Sequence, residues 1–272
     1  MRPEARKLFL GCGFGIIVAA VLACIATPTA LPATSTNVPP TLTNPPTQTP
    51  APLYLSVTLG SAPTSETGQK PAYTVKAQIP VLQGSDDARV SNFNNEMTQL
   101  TQEEIAKFKD NARVAYSTPG SPGSAYDQQY KLLSAPGNLL SLKFDIYIYI
   151  DGAAHPTTHS RVVNYDLEAG KDVTLEQLFL PGSNYLDMIA NYCIAQLKTR
   201  DIGFEAFSSG AQPLPENYGN WNVTPDGLLI TFDEYQVAAY AAGAQEVVVP
   251  YAELKSVIDP HGLLAQFIVT SQ

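Results

Sequence analysis

Cysteine is nearly absent from this chain. Of three among 272 residues, Cys12 and Cys24 sit near the start, leaving Cys193 alone in the part able to fold. One thiol cannot form an internal disulfide, so that part must hold together by packing. Also missing are a CxxC pair, a GxSxG nucleophile elbow and a phosphate-binding glycine loop. Positive charge is scarce: 16 Lys and Arg stand against 25 Asp and Glu, a formal net charge of −9. The first 24 residues hold three bases and one acid, so the remainder carries 13 bases, 24 acids and a net −11. Such a surface repels nucleic acid and anionic lipid and favours cationic partners. DNA and RNA are not expected as partners.

Only one long apolar run exists. Leu8–Ala26 carries no charge and follows a basic stretch of Arg2, Arg6 and Lys7. That order reads as a secretory signal or membrane anchor over residues 1–26, with its basic end inside the cell. Two readings stay open. Val21-Leu22-Ala23-Cys24 has the small-residue-then-cysteine form of a lipobox, which would make Cys24 the lipid attachment site. Alternatively the run is retained as a membrane-spanning helix, since about 17–25 apolar residues suffice. Both readings place the rest of the chain outside the cytoplasm, tied to the membrane.

Residues 27–52, TPTALPATSTNVPPTLTNPPTQTPAP, contain neither charge nor aromatic ring and cannot build a core. Proline and threonine favour an extended tether, reaching up to about 80 Å at ~3.1 Å per residue. The expected folded domain is then 53–272, with an N-terminal part at 53–135 and a C-terminal part at 136–272. At 44% apolar residues, the chain has enough material for one large core or two small ones.

Along that domain, Leu53–Leu59 and Tyr73–Val81 alternate as strands about a polar loop. Asp86 and Asp87 precede a helical pattern of Val90, Phe93, Met97, Leu100, Ile105 and Phe108 that runs to about Val114. Tyr126–Ser134 and Leu139–Ile150 read as a hairpin, and Thr157–Asp166 as the returning strand. Thr174 is the expected cap of a short helix, and Ser183 of a longer one over Asn184–Arg200. On the latter, Leu186, Ile189, Ala190, Cys193 and Leu197 share a face. Three short strands follow, at Asn220–Val223, Leu228–Phe232 and Glu246–Pro250. The expected class is α+β: an antiparallel sheet with helices packed on one face.

Two stretches carry motifs: Asp151–Phe179 (DGAAHPTTHSRVVNYDLEAGKDVTLEQLF) and Tyr235–Leu254 (YQVAAYAAGAQEVVVPYAEL). In order and wording they resemble the extracellular domain of unknown function shared by the anti-sigma factor RsiV and the peptidoglycan deacetylase PdaC. The resemblance covers about the last 200 residues. It implies an envelope domain that binds or senses, with a lysozyme-like cationic protein or peptidoglycan as partner. With only seven residues ahead of the apolar run, no sigma-binding segment is expected. Thr231-Phe232-Asp233-Glu234 is similar to the TFDDG motif of polysaccharide deacetylases, but it follows the histidines and lacks the second Asp and the glycine. No deacetylase module is expected.

Candidate ligand contacts are the irregular pieces flanking strands: Asp151, Gly152 and His155 in one turn, and Tyr235, Tyr240 and Gly243 in the other. Their plainer reading is conformational, above all for the two glycines. His155 and His159 form an HxxxH pair, yet Pro156, Thr157 and Thr158 favour extended backbone, where the two stand about 13 Å apart. No metal site, cofactor or catalytic residue is therefore assigned. The alternatives are a cell-wall glycan hydrolase or deacetylase using His155, His159, Asp151 and Asp233, or a structural envelope lipoprotein. Tyr147, Tyr149, Tyr218, Trp221 and Tyr251 add to a tyrosine-rich character that suits recognition of protein or sugar.

Overall fold

A computed structural model of the chain describes residues 52–115, 119–134 and 136–269. The apolar segment, Cys24 and nearly all of the tether lie outside the described residues. Among the described residues no helix is long and apolar enough to cross a membrane.

The class is α+β. A six-stranded sheet in the order β1 (Thr58–Gln69), β2 (Ala72–Gln83), β3 (Ser124–Ser134), β4 (Leu139–Tyr149), β5 (Thr157–Asp166) and β6 (Lys171–Asp172) forms the first half. All neighbours are antiparallel except β2 and β3, which run parallel in register Tyr73↔Ser124 to Ala77↔Gln128. That pair is parallel because the helix α1 (Ala88–Val114) separates its strands and carries the chain back to the starting edge. Asp87 caps this helix, its carboxylate accepting the Arg89 N–H at 2.9 Å. Val90, Phe93, Met97, Phe108 and Ala112 bury one stripe of α1 against Val75, Ala77, Tyr126, Phe144 and Tyr165. Phe93 meets Tyr165 edge-on at 5.0 Å.

β1 departs from the expected loop. The alternation expected over Leu53–Leu59 is instead a 3-10 turn at Leu53–Leu55 followed by the start of β1, a strand almost wholly exposed. It has no buried face to impose a pattern on its sequence, so it reads as a loop.

A second core lies around β7 (Trp221–Val223), β8 (Gly227–Phe232) and β9 (Gln245–Pro250), an antiparallel three-stranded sheet. The helix α2 (Tyr185–Lys198) covers it through Ile189, Ala190, Cys193 and Leu197, the face its spacing dictates. Its cap position is Asn184, not Ser183, and no side chain completes that cap. Thr174 does cap the 3-10 turn Leu175–Leu178, its N–H donating to Gln177 Oε1 at 2.9 Å. Two short helices, α3 (Tyr251–Leu254) and α4 (Ala265–Val269), close the order.

The small sheet meets the large one through polar groups. Ser141 Oγ on β4 accepts from Asn222 Nδ2 at 3.0 Å and from the Val223 N–H at 2.9 Å, and donates to Asn164 Oδ1 at 2.6 Å. All three side chains are buried, so each must find partners across this seam. Lys143, also buried, reaches Glu246 on β9.

Candidate functional site

Among the described residues the N-terminal half of β5 has no strand on its outer side; β6 pairs only with Tyr165 and Asp166. Two carboxylates from the loop after β8 take that place. Asp233 Oδ1 accepts the Ser160 N–H at 2.8 Å, and Glu234 Oε2 accepts the Thr158 N–H at 3.2 Å. These amides are two residues apart and point outward on the same edge. Asp233 Oδ2 also accepts from Asn220 Nδ2 at 2.9 Å. Gln236 anchors the next step, Nε2 donating to the carbonyls of Gly210 and Asn217 at 3.0 and 2.9 Å.

Between these anchors Tyr235 is forced to φ +67°, the left-handed region, and its ring stays 52% exposed. An L side chain there is strained by about 1–2 kcal/mol, a feature that often marks a functional segment. Tyr240 opens a 3-10 turn and donates its hydroxyl to the Pro156 carbonyl at 2.9 Å. On Tyr240 lies His155, stacked at 4.0 Å between centroids, and Tyr235 stacks at 5.7 Å. His155 Nδ1 is 2.8 Å from the same Pro156 carbonyl, which favours the Nδ1–H tautomer. Burial, then the nearby Glu234, Tyr235 and Tyr147, push the Tyr240 phenol up. The three rings form a ledge across the junction of the two sheets.

Beside the ledge the large sheet shows its bare face. Along β4 Phe144 and Ile146 point to α1, so Asp145 and Tyr147 point away from it. A groove of about 440 Å³ opens there, lined by Lys76, Asp127, Gln129, Asp145, Tyr147 and Thr158. Tyr147 is 40% exposed. Asp145 holds Lys131 at 2.8 Å, and Gln129 Nε2 donates to Asp127 at 2.8 Å. Rings joined to fixed carboxylates and amides can stack on, and hydrogen-bond to, a polyhydroxylated ligand.

His155, Tyr235 and Tyr240 thus come together. Asp151 and Gly152 do not join them. The Asp151 N–H donates to Ser124 Oγ at 3.0 Å, and Asp151 borders a separate depression with Lys70, Arg113 and Ser121. Gly152 turns the chain at φ +86°. Gly243 ends the turn at Tyr240–Ala242 with φ +65°, a conformational role. His159 faces the opposite side of the sheet, its Nε2 3.8 Å from Glu104 Oε2 on α1. There Arg161 and Lys107 also engage Glu104. Burial alone would raise the Glu104 carboxyl, but Lys107 and Arg161 bring it below its ordinary value. Asp233 is occupied with β5, so the four residues of the hydrolase reading hold four different partners. Among the described residues no group of three His, Cys, Asp or Glu side chains is placed to hold a metal ion. The groove residues of β2 and β3 escaped sequence reasoning; the alternation along each strand was their only signal.

Two family models match successive parts of the chain. One described as "Deacetylase PdaC" matches residues 66–158, and one described as "Protein of unknown function (DUF3298)" matches 176–252. The ledge draws His155 from the first match and Tyr235 and Tyr240 from the second. The peptidoglycan-N-acetylmuramic acid deacetylase PdaC of Bacillus subtilis is 24% identical over 174 residues, 61% of this chain and 37% of PdaC. The esterase Rv3036c of Mycobacterium tuberculosis is 35% identical over 101 residues, 36% of this chain and 44% of that protein. The chain therefore spans less than half the length of either relative. Among solved structures, a DUF3298-family protein of Bacteroides fragilis superposes with a TM-score of 0.61 at 16% identity, covering 79% of this chain and 98% of that one. Another, from Pseudomonas aeruginosa, gives 0.53 at 18% identity, with 75% and 95% covered. These two establish the fold.

Proposed function

We propose that the chain is a binding domain of the bacterial cell envelope that recognises cell-wall glycan on the His155–Tyr240–Tyr235 ledge and the adjoining groove. The observation that carries this reading is the ring ledge itself. His155 and Tyr240 meet on one backbone carbonyl at an exposed junction, and Tyr235 stacks on Tyr240 from a strained, left-handed backbone. Support also comes from PdaC, a relative whose name places it on peptidoglycan. The basic-then-apolar start of the sequence supports an extracytoplasmic domain anchored to the membrane by lipid at Cys24 or by a retained helix. The hydrolase reading draws no support from the geometry, because His155, His159, Asp151 and Asp233 are apart. Co-sedimentation of the full chain with purified peptidoglycan tests the proposal. Binding should drop about ten-fold or more in a Tyr235→Ala/Tyr240→Ala double variant, the loss of two stacking rings.

A second reading rests on charge. A chain of formal charge −9 attracts a cationic protein such as a lysozyme. Binding to a c-type lysozyme that persists at near-physiological salt would favour that ligand; binding at low salt alone would reflect unspecific attraction.

A further inference from the structure

We propose that a second pocket, on the small-sheet half, takes the lysine or arginine side chain of a cationic peptide. The pocket shares no residue with the ledge, so it stands whichever ligand the ledge takes. It measures about 430 Å³ and lies between the 3-10 turns at Leu175–Leu178 and Pro215–Tyr218, the first turn of α2 and the start of β7. Tyr185, Tyr218 and Trp221 form aromatic walls, with Leu175, Leu186 and Pro215 between them.

The walls are fixed in place. Tyr185 stacks on Phe179 at 4.5 Å with planes 7° apart. Tyr218 donates its hydroxyl to the Ala211 carbonyl at 2.7 Å and meets Phe232 edge-on at 5.8 Å. Aromatic side chains held this rigidly give the cavity fixed walls of the kind to which a cation is attracted.

Two polar groups are left for a ligand. Among the described residues Glu176 is the only charged one lining the pocket, and Asp187 and Glu216 adjoin lining residues in sequence. No lysine or arginine among the described residues lines it. Trp221 is only 4% exposed, and its indole N–H donates to no acceptor among the described residues. That N–H is left to donate to a ligand seated in the pocket. A peptide meets all these features at once. Its alkyl stem lies along the leucines and proline, its cation faces the rings and Glu176, and its main-chain carbonyl accepts from Trp221 Nε1.

Trp221 is the single tryptophan of the chain, so its fluorescence reports on this pocket alone. The full chain is titrated with an acetyl-Ala-Lys-Ala-amide peptide and with its norleucine counterpart. A saturable change is expected with the lysine peptide, at an affinity at least about five-fold above that of norleucine. Glu176→Gln should weaken the lysine peptide by about three- to ten-fold. Trp221→Phe, followed by calorimetry, should weaken both peptides by a similar factor through the lost N–H. Equal binding of the two peptides, indifference to Glu176→Gln, or no fluorescence change with either would each overturn the proposal.

Discussion

The imidazole of His155 lies against the ring of Tyr240, centroids 4.0 Å apart and planes 29° apart, and both residues converge on the Pro156 carbonyl. Sequence separates them by 85 positions. Their meeting depends on the loop after β8 being clipped to β5, and the predictions start from that clip.

Tyr240→Phe keeps the stack and removes one hydrogen bond, so it should cost about 1 kcal/mol of stability and little binding. Tyr240→Ala removes the central ring and should weaken glycan binding about ten-fold while the fold persists. Paired thermal melts and binding isotherms of the two variants check this.

Asp233→Ala leaves the Ser160 amide and the Asn220 side chain without their acceptor. It should destabilise the protein by about 1–3 kcal/mol. Hydrogen exchange at the Ser160 amide should speed up more than at amides in the middle of β4, and mass-resolved exchange of the two segments measures it.

Strain at Tyr235 predicts an order of variants. Tyr235→Ala keeps the left-handed backbone and loses the ring; Tyr235→Gly loses both ring and strain. The glycine variant should be the more stable by about 1 kcal/mol, while both lose binding to the same extent. Denaturant midpoints compared with binding data give the answer.

Acid should act through the helix cap. The Arg89 side chain, then its backbone N–H, hold the Asp87 carboxyl down at about 2, below its usual 3.8. Because the folded value is depressed, the stabilisation is present above pH 4 and disappears as pH falls through about 2. Asp87→Ala should therefore be less stable than the parent at neutral pH, and the gap should close toward pH 2, as read by melts across that range.

Cys193 should be inert. Burial pushes its thiol up to about 12, against a smaller opposing pull from Arg200. A thiol reagent at pH 8 should label it only after denaturation.

Much of this architecture was legible in the sequence because its cores are patterned. The stripe on α1 and the shared face of α2 follow from burial on one side, while β4 alternates between an apolar face on α1 and a polar face whose Ser141 and Lys143 are buried against the small sheet. β1 was hidden because nearly all of it is exposed. The parallel pairing of β2 and β3 was signalled by the long helix between them, but strand patterning alone carries no direction. At the site, His155, Tyr235 and Tyr240 could be named as motif-bearing turn residues. That Asp151, four positions from His155, turns instead toward Ser124 depends on the path of one loop, which no periodicity records. The clip by Asp233 and Glu234 was invisible because acceptors for unpaired strand amides have no sequence pattern of their own.

The central claim is that the ring ledge binds cell-wall glycan. Its most direct test is co-sedimentation of the full chain with purified peptidoglycan at near-physiological salt, beside the Tyr235→Ala/Tyr240→Ala variant. Saturable binding by the parent chain that falls about ten-fold or more in the variant is the result expected. Absence of binding, or equal binding by both proteins, would contradict it.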